Sequence, residues 1–136
     1  MMDELIKLML VHFPFMTADN AETALKICEK NDNLVYSPPH SLLGYYRFYP
    51  ELINVIRDQD FDTLTLCNLT EGPLVYVAVL ITPGNAYKTM MQLASLLNAR
   101  AYAFHRYREG EAEFHFFRNN RYAEPQMRVG HAQHYQ

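Results

Sequence analysis

Apolar residues recur along this chain with two different periods. Leu5, Leu8, Met9 and His12 share one face of a 3.6-residue helix, and a second helix follows Thr17 or Asp19 as its cap, with Ala21, Ala24, Leu25, Ile27 and Cys28 on its inner side. Asn31-Asp32-Asn33 closes it. Leu34-Val35-Tyr36 reads as a short strand stopped by Ser37-Pro38-Pro39, because neither proline can donate to a ladder. Leu42 to Tyr49 is rich in aromatic and β-forming residues; a strand is one reading and an aromatic helical turn the other. Pro50 suits the first position of a short helix with Leu52, Ile53, Val55 and Ile56 on its apolar side, ended by Asp58-Gln59-Asp60.

The second half alternates more sharply. Thr63 to Leu69 and Leu74 to Thr82 are apolar, β-branched runs separated by Thr70-Glu71-Gly72-Pro73, the composition of an antiparallel hairpin. Leu74 to Ile81 is apolar on both faces, which predicts a central strand. After Pro83-Gly84-Asn85 the period becomes helical, with Tyr87, Met90, Met91, Ala94 and Leu97 facing a core. Ala101 to Arg106 alternates as a strand, Glu109-Gly110 turns it, and Ala112 to Phe117 returns. The predicted order is helix, helix, strand, helix, strand hairpin, helix, strand hairpin. Each helix has one apolar face, so the expectation is an α/β (α+β) domain over residues 1–118, its mixed, largely antiparallel sheet flanked by helices, with a polar tail over 119–136.

Composition narrows the class. The 136 residues are 49% hydrophobic and 20% charged, with a formal charge of −3, the profile of one soluble globular domain. The apolar runs fall short of the roughly 20 residues of a membrane span, and Asp3, Glu4 and Lys7 interrupt the start where a signal peptide would be apolar, so a cytoplasmic protein is expected. Cys28 and Cys67 have no CxxC spacing and read as buried thiols in a reducing compartment, with a disulfide as the alternative. Residues 1–99 hold 6 basic and 11 acidic side chains and residues 100–136 hold 6 arginines against 4 glutamates, a balance of −5 and +2. That basic excess is small for a phosphate-binding surface, which disfavours nucleic acid as a partner.

Leu74 through Asn98, an apolar strand ending in Pro-Gly-Asn-Ala-Tyr-Lys and feeding a helix, resembles the core strand, loop and helix of the GNAT acyltransferase fold, in which the loop holds a cofactor pyrophosphate. Ser37-Pro38-Pro39-His40, Ile81 to Lys88 and the closing Glu113-Phe114-His115 resemble segments of the toxin-activating lysine acyltransferases, a GNAT-like family; the likeness spans roughly residues 34 to 118. The resemblance implies an acyl-CoA or acyl-carrier-protein thioester as cofactor, bound near Thr82, Gly84, Asn85, Ala86 and Lys88, with His40 as the base. Two positions depart from the families. The usual Gln/Arg-x-x-Gly-x-Gly/Ala loop is replaced by a stretch whose only glycine is Gly84, and Val79 stands where the toxin-activating enzymes carry a catalytic carboxylate. Degenerate GNAT-like proteins of this size also occur in bacteriophages, which would place the chain in the host cytoplasm or the virion.

Residue chemistry offers further candidates. His40 follows a stiff Ser-Pro-Pro segment and titrates near neutrality, so it suits a general base; a surface or capping histidine is the plainer reading. Asp58, Asp60 and Asp62 are the nearest acidic cluster in sequence to orient it, or simply a solvated helix end. Gly84 to Lys88 presents helix-start amides and one ammonium, the minimum for stabilising a phosphate or oxyanion, and equally an ordinary turn. His105 and His115 on adjacent strands, with Glu111 or Glu113, invite a zinc reading that lacks a third ligand of diagnostic spacing, so no metal is expected; His131 and His134 would pair only in a helical tail.

Aromatic side chains interleave with Arg47, Arg106, Arg108 and Arg118, a composition that serves a core, a protein interface or stacked bases. Three functions therefore compete. The first is an acyltransferase moving an acyl group from a thioester to an amine or hydroxyl. The second is a non-catalytic GNAT-like binding or structural protein, self-associating or docking on a phage-associated assembly through its aromatic and arginine surface. The third is a nucleic-acid module using Arg106, Arg108, Arg118 and Arg121.

Overall fold

A computed structural model describes residues 1–37 and 41–119 of the chain. Two helices open it, α1 (Met2–His12) and α2 (Ala18–Lys30), and the Thr17 side chain caps the second by accepting the Asn20 amide at 3.1 Å. Strands β1 (Leu34–Ser37) and β2 (Ser41–Phe48) form an antiparallel hairpin. Every second residue of β2 is buried, Leu42, Gly44, Tyr46 and Phe48, and that period of two makes the segment a strand rather than an aromatic helical turn. A 3-10 turn at Pro50–Leu52 leads into α3 (Ile53–Arg57), followed by α4 (Phe61–Thr65), β3 (Leu74–Ile81), α5 (Ala86–Leu96), β4 (Ala101–Arg108) and β5 (Glu111–Arg118).

The architecture is mixed α+β. The five strands lie in the order β1-β2-β3-β4-β5, so β3 is central, as its two-sided apolar run predicts. All neighbours are antiparallel except β3 and β4, a parallel pair that needs a crossover, which α5 supplies. On one face, α1 and α2 set Leu5, Met9, Ala21 and Leu25 against Leu42, Val79 and Ile81. Further along the same face Ile27, Cys28, Ile56 and Leu64 cover Tyr46, Phe48 and Tyr76. On the other face Met90 and Ala94 of α5 pack on Val75, Val77, Tyr102 and Phe104.

The expected hairpin of Thr63–Leu69 with Leu74–Thr82 does not form. Asp60 accepts the Thr63 amide at 3.2 Å and its hydroxyl at 2.7 Å, which starts a helix where a strand was expected. Leu64 is then buried and Leu66 is 86% exposed. The place beside β3 goes to β2, which offers seven paired residues, from Leu42↔Ile81 to Phe48↔Leu74. Asn119, read from the sequence as the first tail residue, is 2% exposed and donates its side-chain amide to the Ala99 carbonyl at 3.0 Å.

One irregularity shapes the centre of the sheet. Gly44 pairs with Val79 and the next residue, Tyr45, pairs with Val77, so Ala78 is the extra residue of a β-bulge. Leu74 and Tyr76 face the α2 side before the bulge and Val79 and Ile81 face it afterwards, which keeps apolar side chains on that face through the change of parity. Gly44 has no room for a side chain. A Cβ there would lie 2.8 Å from Cys28 Sγ and 2.8 Å from Val79 Cγ1.

Candidate functional site

The parallel pair parts early. Its register runs over four rungs, Leu74↔Ala101 to Val77↔Phe104, and then ends although both strands continue for four more residues. Ala78 stands at the apex of the split with no register partner in β2 or in β4. Between the diverging strands opens a cavity of about 340 Å³. Val77 to Leu80 form one wall and Phe104 to Tyr107 the other; Ala86, Tyr87 and Met90 of α5 close one face, and Phe13, Phe15 and Met16 of the α1–α2 connection close the opposite face. The site thus lies at the carboxyl ends of two parallel strands, where open α/β sheets characteristically bind ligands.

The buried wall carries a hydrogen-bonded chain of side chains. His105 Nε2 lies 2.9 Å from the Arg57 carbonyl, which only accepts, so this nitrogen carries the proton. Nδ1 is then the acceptor for the Tyr76 hydroxyl at 2.6 Å. Gln59 donates to the Tyr107 hydroxyl at 2.8 Å and lies against Tyr76 as well. Burial pushes the His105 pKa below the ordinary imidazole value, outweighing the bond to the Arg57 carbonyl, and pushes Tyr76 far up, so both are neutral near pH 7. The Asp58 carboxyl sits below the usual carboxylate range because it accepts from Arg57, 2.9 Å away.

The mouth of the notch is apolar with a basic bias. Phe15 and Tyr87 are 48% and 46% exposed there, and the Tyr87 ring meets Phe104 edge-on at a centroid distance of 5.6 Å, flanking the cavity rather than occupying it. Its lining includes His12 and Arg106 and no aspartate or glutamate among the described residues.

The residues anticipated from the sequence are distributed unevenly. His40 lies outside the described residues, as do Arg121, His131 and His134. Ala86 lines the notch. Thr82 and Gly84 form the adjoining loop, in which the Thr82 hydroxyl accepts the Gly84 amide at 3.3 Å. Asn85 caps α5 by accepting the Lys88 amide at 3.0 Å, and the amides of Ala86 and Tyr87, in the first helical turn, precede the first i→i−4 bond.

His105 and His115 do not face each other. They pair with Phe114 and Phe104 respectively, on opposite faces of the hairpin, and the His115 ring stacks on Phe104 at 5.2 Å. Among the described residues no group of three histidine, cysteine or carboxylate side chains converges as a metal site. Most of the interleaved aromatics are core: Tyr46, Phe48, Phe104, Phe114 and Phe116 are buried, and Arg47 is committed to the Gly72 carbonyl by two bonds of 3.1 and 2.9 Å. No described helix is long and apolar enough to cross a membrane.

Three participants were not singled out as site residues from the sequence. Tyr76 and Gln59 are distant in sequence from His105 and Tyr107, and each meets its partner only through sheet pairing or the α3–α4 connection. Ala78 left one faint sign, the smallest side chain in a run of larger apolar ones. No family model, no curated protein and no solved structure matches this chain, so the functional reading comes from its own geometry.

Proposed function

We propose that the chain is a GNAT-like acyltransferase, which accepts an acyl thioester in the notch between β3 and β4 and passes the acyl group to an amine or hydroxyl. The observation that carries this reading is the early parting of the parallel pair at Ala78, beside the first turn of α5. An acyl carbonyl entering the notch meets strand edges no longer engaged with each other, and donors held in place there stabilise the oxyanion that forms on attack. Arg106 and the start of α5 favour an anionic donor at the mouth, which suits the phosphates of coenzyme A or of an acyl-carrier protein.

The chemistry needs one proton acceptor. The acceptor amine or hydroxyl attacks the thioester carbon, the C–S bond breaks, and the thiolate leaves and takes up a proton. Both ring nitrogens of His105 are engaged, so the incoming group's proton goes to His40 in this proposal. The flanking Ser37 and Ser41 pair with each other, and Leu42 pairs with Ile81, at the end of the sheet towards which the notch opens.

Thermal unfolding with acetyl-CoA, longer acyl-CoAs and an acylated carrier protein tests the reading, because a ligand of the folded state raises the midpoint by mass action. A concentration-dependent rise is expected, together with acyl transfer to an amine that His40→Ala abolishes. An unchanged midpoint with every donor at millimolar concentration overturns it. A second reading, a binding or assembly protein that keeps the notch without chemistry, is favoured by the exposed Phe15, Tyr87 and Met91. Thioester binding without transfer, or a stable self-associated species in light scattering, would select it.

A further inference from the structure

A second cavity, of about 200 Å³, lies on the α2 side of the sheet and adjoins the notch. The two share Phe15, Met16, Ala78 and Tyr107, so the bulge residue and the ring of Tyr107 are walls of both. Their linings differ in charge. The notch has His12 and Arg106, whereas among the described residues the second cavity is lined by no aspartate, glutamate, lysine, arginine or histidine. Leu64, Ile56, Phe61 and Ala24 form an apolar part of its lining, beside Asn20, Gln59 and three tyrosines.

We propose that this second cavity is the seat of a medium-length acyl chain, which passes the parted strands at Ala78 while its thioester and anionic carrier remain in the notch. The proposal rests on the acyl-thioester reading above and adds the class of acyl group. Such a chain gains affinity with each buried methylene, whereas an acetyl group ends before reaching the cavity. Ala78 suits the passage because a larger side chain at the apex of the split would stand between the two spaces. The Gln59–Tyr107 hydrogen bond ties Tyr107, a wall of both spaces, to the second cavity.

The test compares acetyl-CoA, hexanoyl-CoA and free 1-hexanol by calorimetry on the wild-type chain and on two variants that fill the cavity, Ala24→Leu from α2 and Ala112→Phe from its rim. Hexanoyl-CoA is expected to bind roughly tenfold or more tightly than acetyl-CoA, from burial of its extra methylenes. Either variant should reduce that ratio to near one and leave acetyl-CoA affinity unchanged, and the rim variant serves if Ala24→Leu does not fold. Equal wild-type affinities for the two thioesters would overturn the chain-seat proposal with the transferase reading intact. Binding of hexanol alone, lost on filling the cavity, would retain the alkyl site and overturn coenzyme A as the carrier. Binding of none of the three would overturn the chain seat, and with no response to the acylated carrier protein the thioester reading as well.

Discussion

The Tyr76 hydroxyl donates to Nδ1 of His105 across 2.6 Å, a diagonal bond between β3 and β4 that reaches one residue beyond their last rung, Val77↔Phe104. Because His105 also donates to the Arg57 carbonyl, the same imidazole ties the parted strand to α3. The wall of the notch is therefore held by side chains where the ladder no longer holds it.

This tie makes stability pH-dependent. Burial lowers the folded pKa of His105, so as pH falls below about 6.5 the unfolded chain takes up a proton before the folded one does. The His105 contribution is fully present above that pH and is lost as pH falls from there through the lower folded value. Urea midpoints at pH 7.5 and 5.0 should fall further for the wild type than for His105→Gln. An equal fall in the two proteins would refute the assignment.

Gly44→Ala should destabilise the fold by about 1–3 kcal/mol, the usual cost of overfilling a packed core. The new methyl would meet Cys28 Sγ and Val79 Cγ1 at 2.8 Å each. Adding Cys28→Ala removes one obstacle, so the double variant should recover part of the loss relative to Cys28→Ala alone. Denaturant titration of the four proteins measures this coupling.

Asn31 is buried at the end of α2, where its side chain donates to the Ile27 carbonyl at 2.8 Å and accepts the Leu69 amide at 3.1 Å. Asn33 adds a bond of 3.1 Å to the Leu69 carbonyl, so the two asparagines satisfy both polar groups of one loop residue. Asn31→Ala leaves the Leu69 amide buried without a partner and should cost about 1–3 kcal/mol. Amide exchange at Leu69 should accelerate in that variant before global unfolding does.

The two thiols should react differently. Cys28 is fully buried and desolvation pushes its pKa to about 12, whereas Cys67 is partly exposed. An aromatic disulfide reagent at pH 8 should label one thiol of the native protein readily and the second only on unfolding. Rapid native labelling of Cys28 would show that the Gly44 contact opens.

Much of the fold was legible along the chain. Helical periods at Leu5–His12, Ala21–Cys28 and Tyr87–Leu97, the two-sided run Leu74–Ile81 and the returning strands after Ala101 appear where their spacing places them, because amphipathic period is a local property. Thr63–Leu69 misled for the converse reason. Its β-branched residues satisfy a strand pattern, yet Asp60 supplies a helix cap and β2 takes the neighbouring place, a competition between segments that no window of sequence contains.

The site divides along the same line. Sequence by itself determined the central strand, the Pro-Gly-Asn turn that ends it and the helix that starts after Asn85, since these follow from apolar run and turn chemistry. Tertiary structure alone decided that the strands part at Ala78, that Tyr76 meets both Gln59 and His105, and that a second, uncharged space adjoins the first. A bulge is a mismatch in register between two strands, and a cavity is the space several elements fail to fill. Neither belongs to any one stretch of residues.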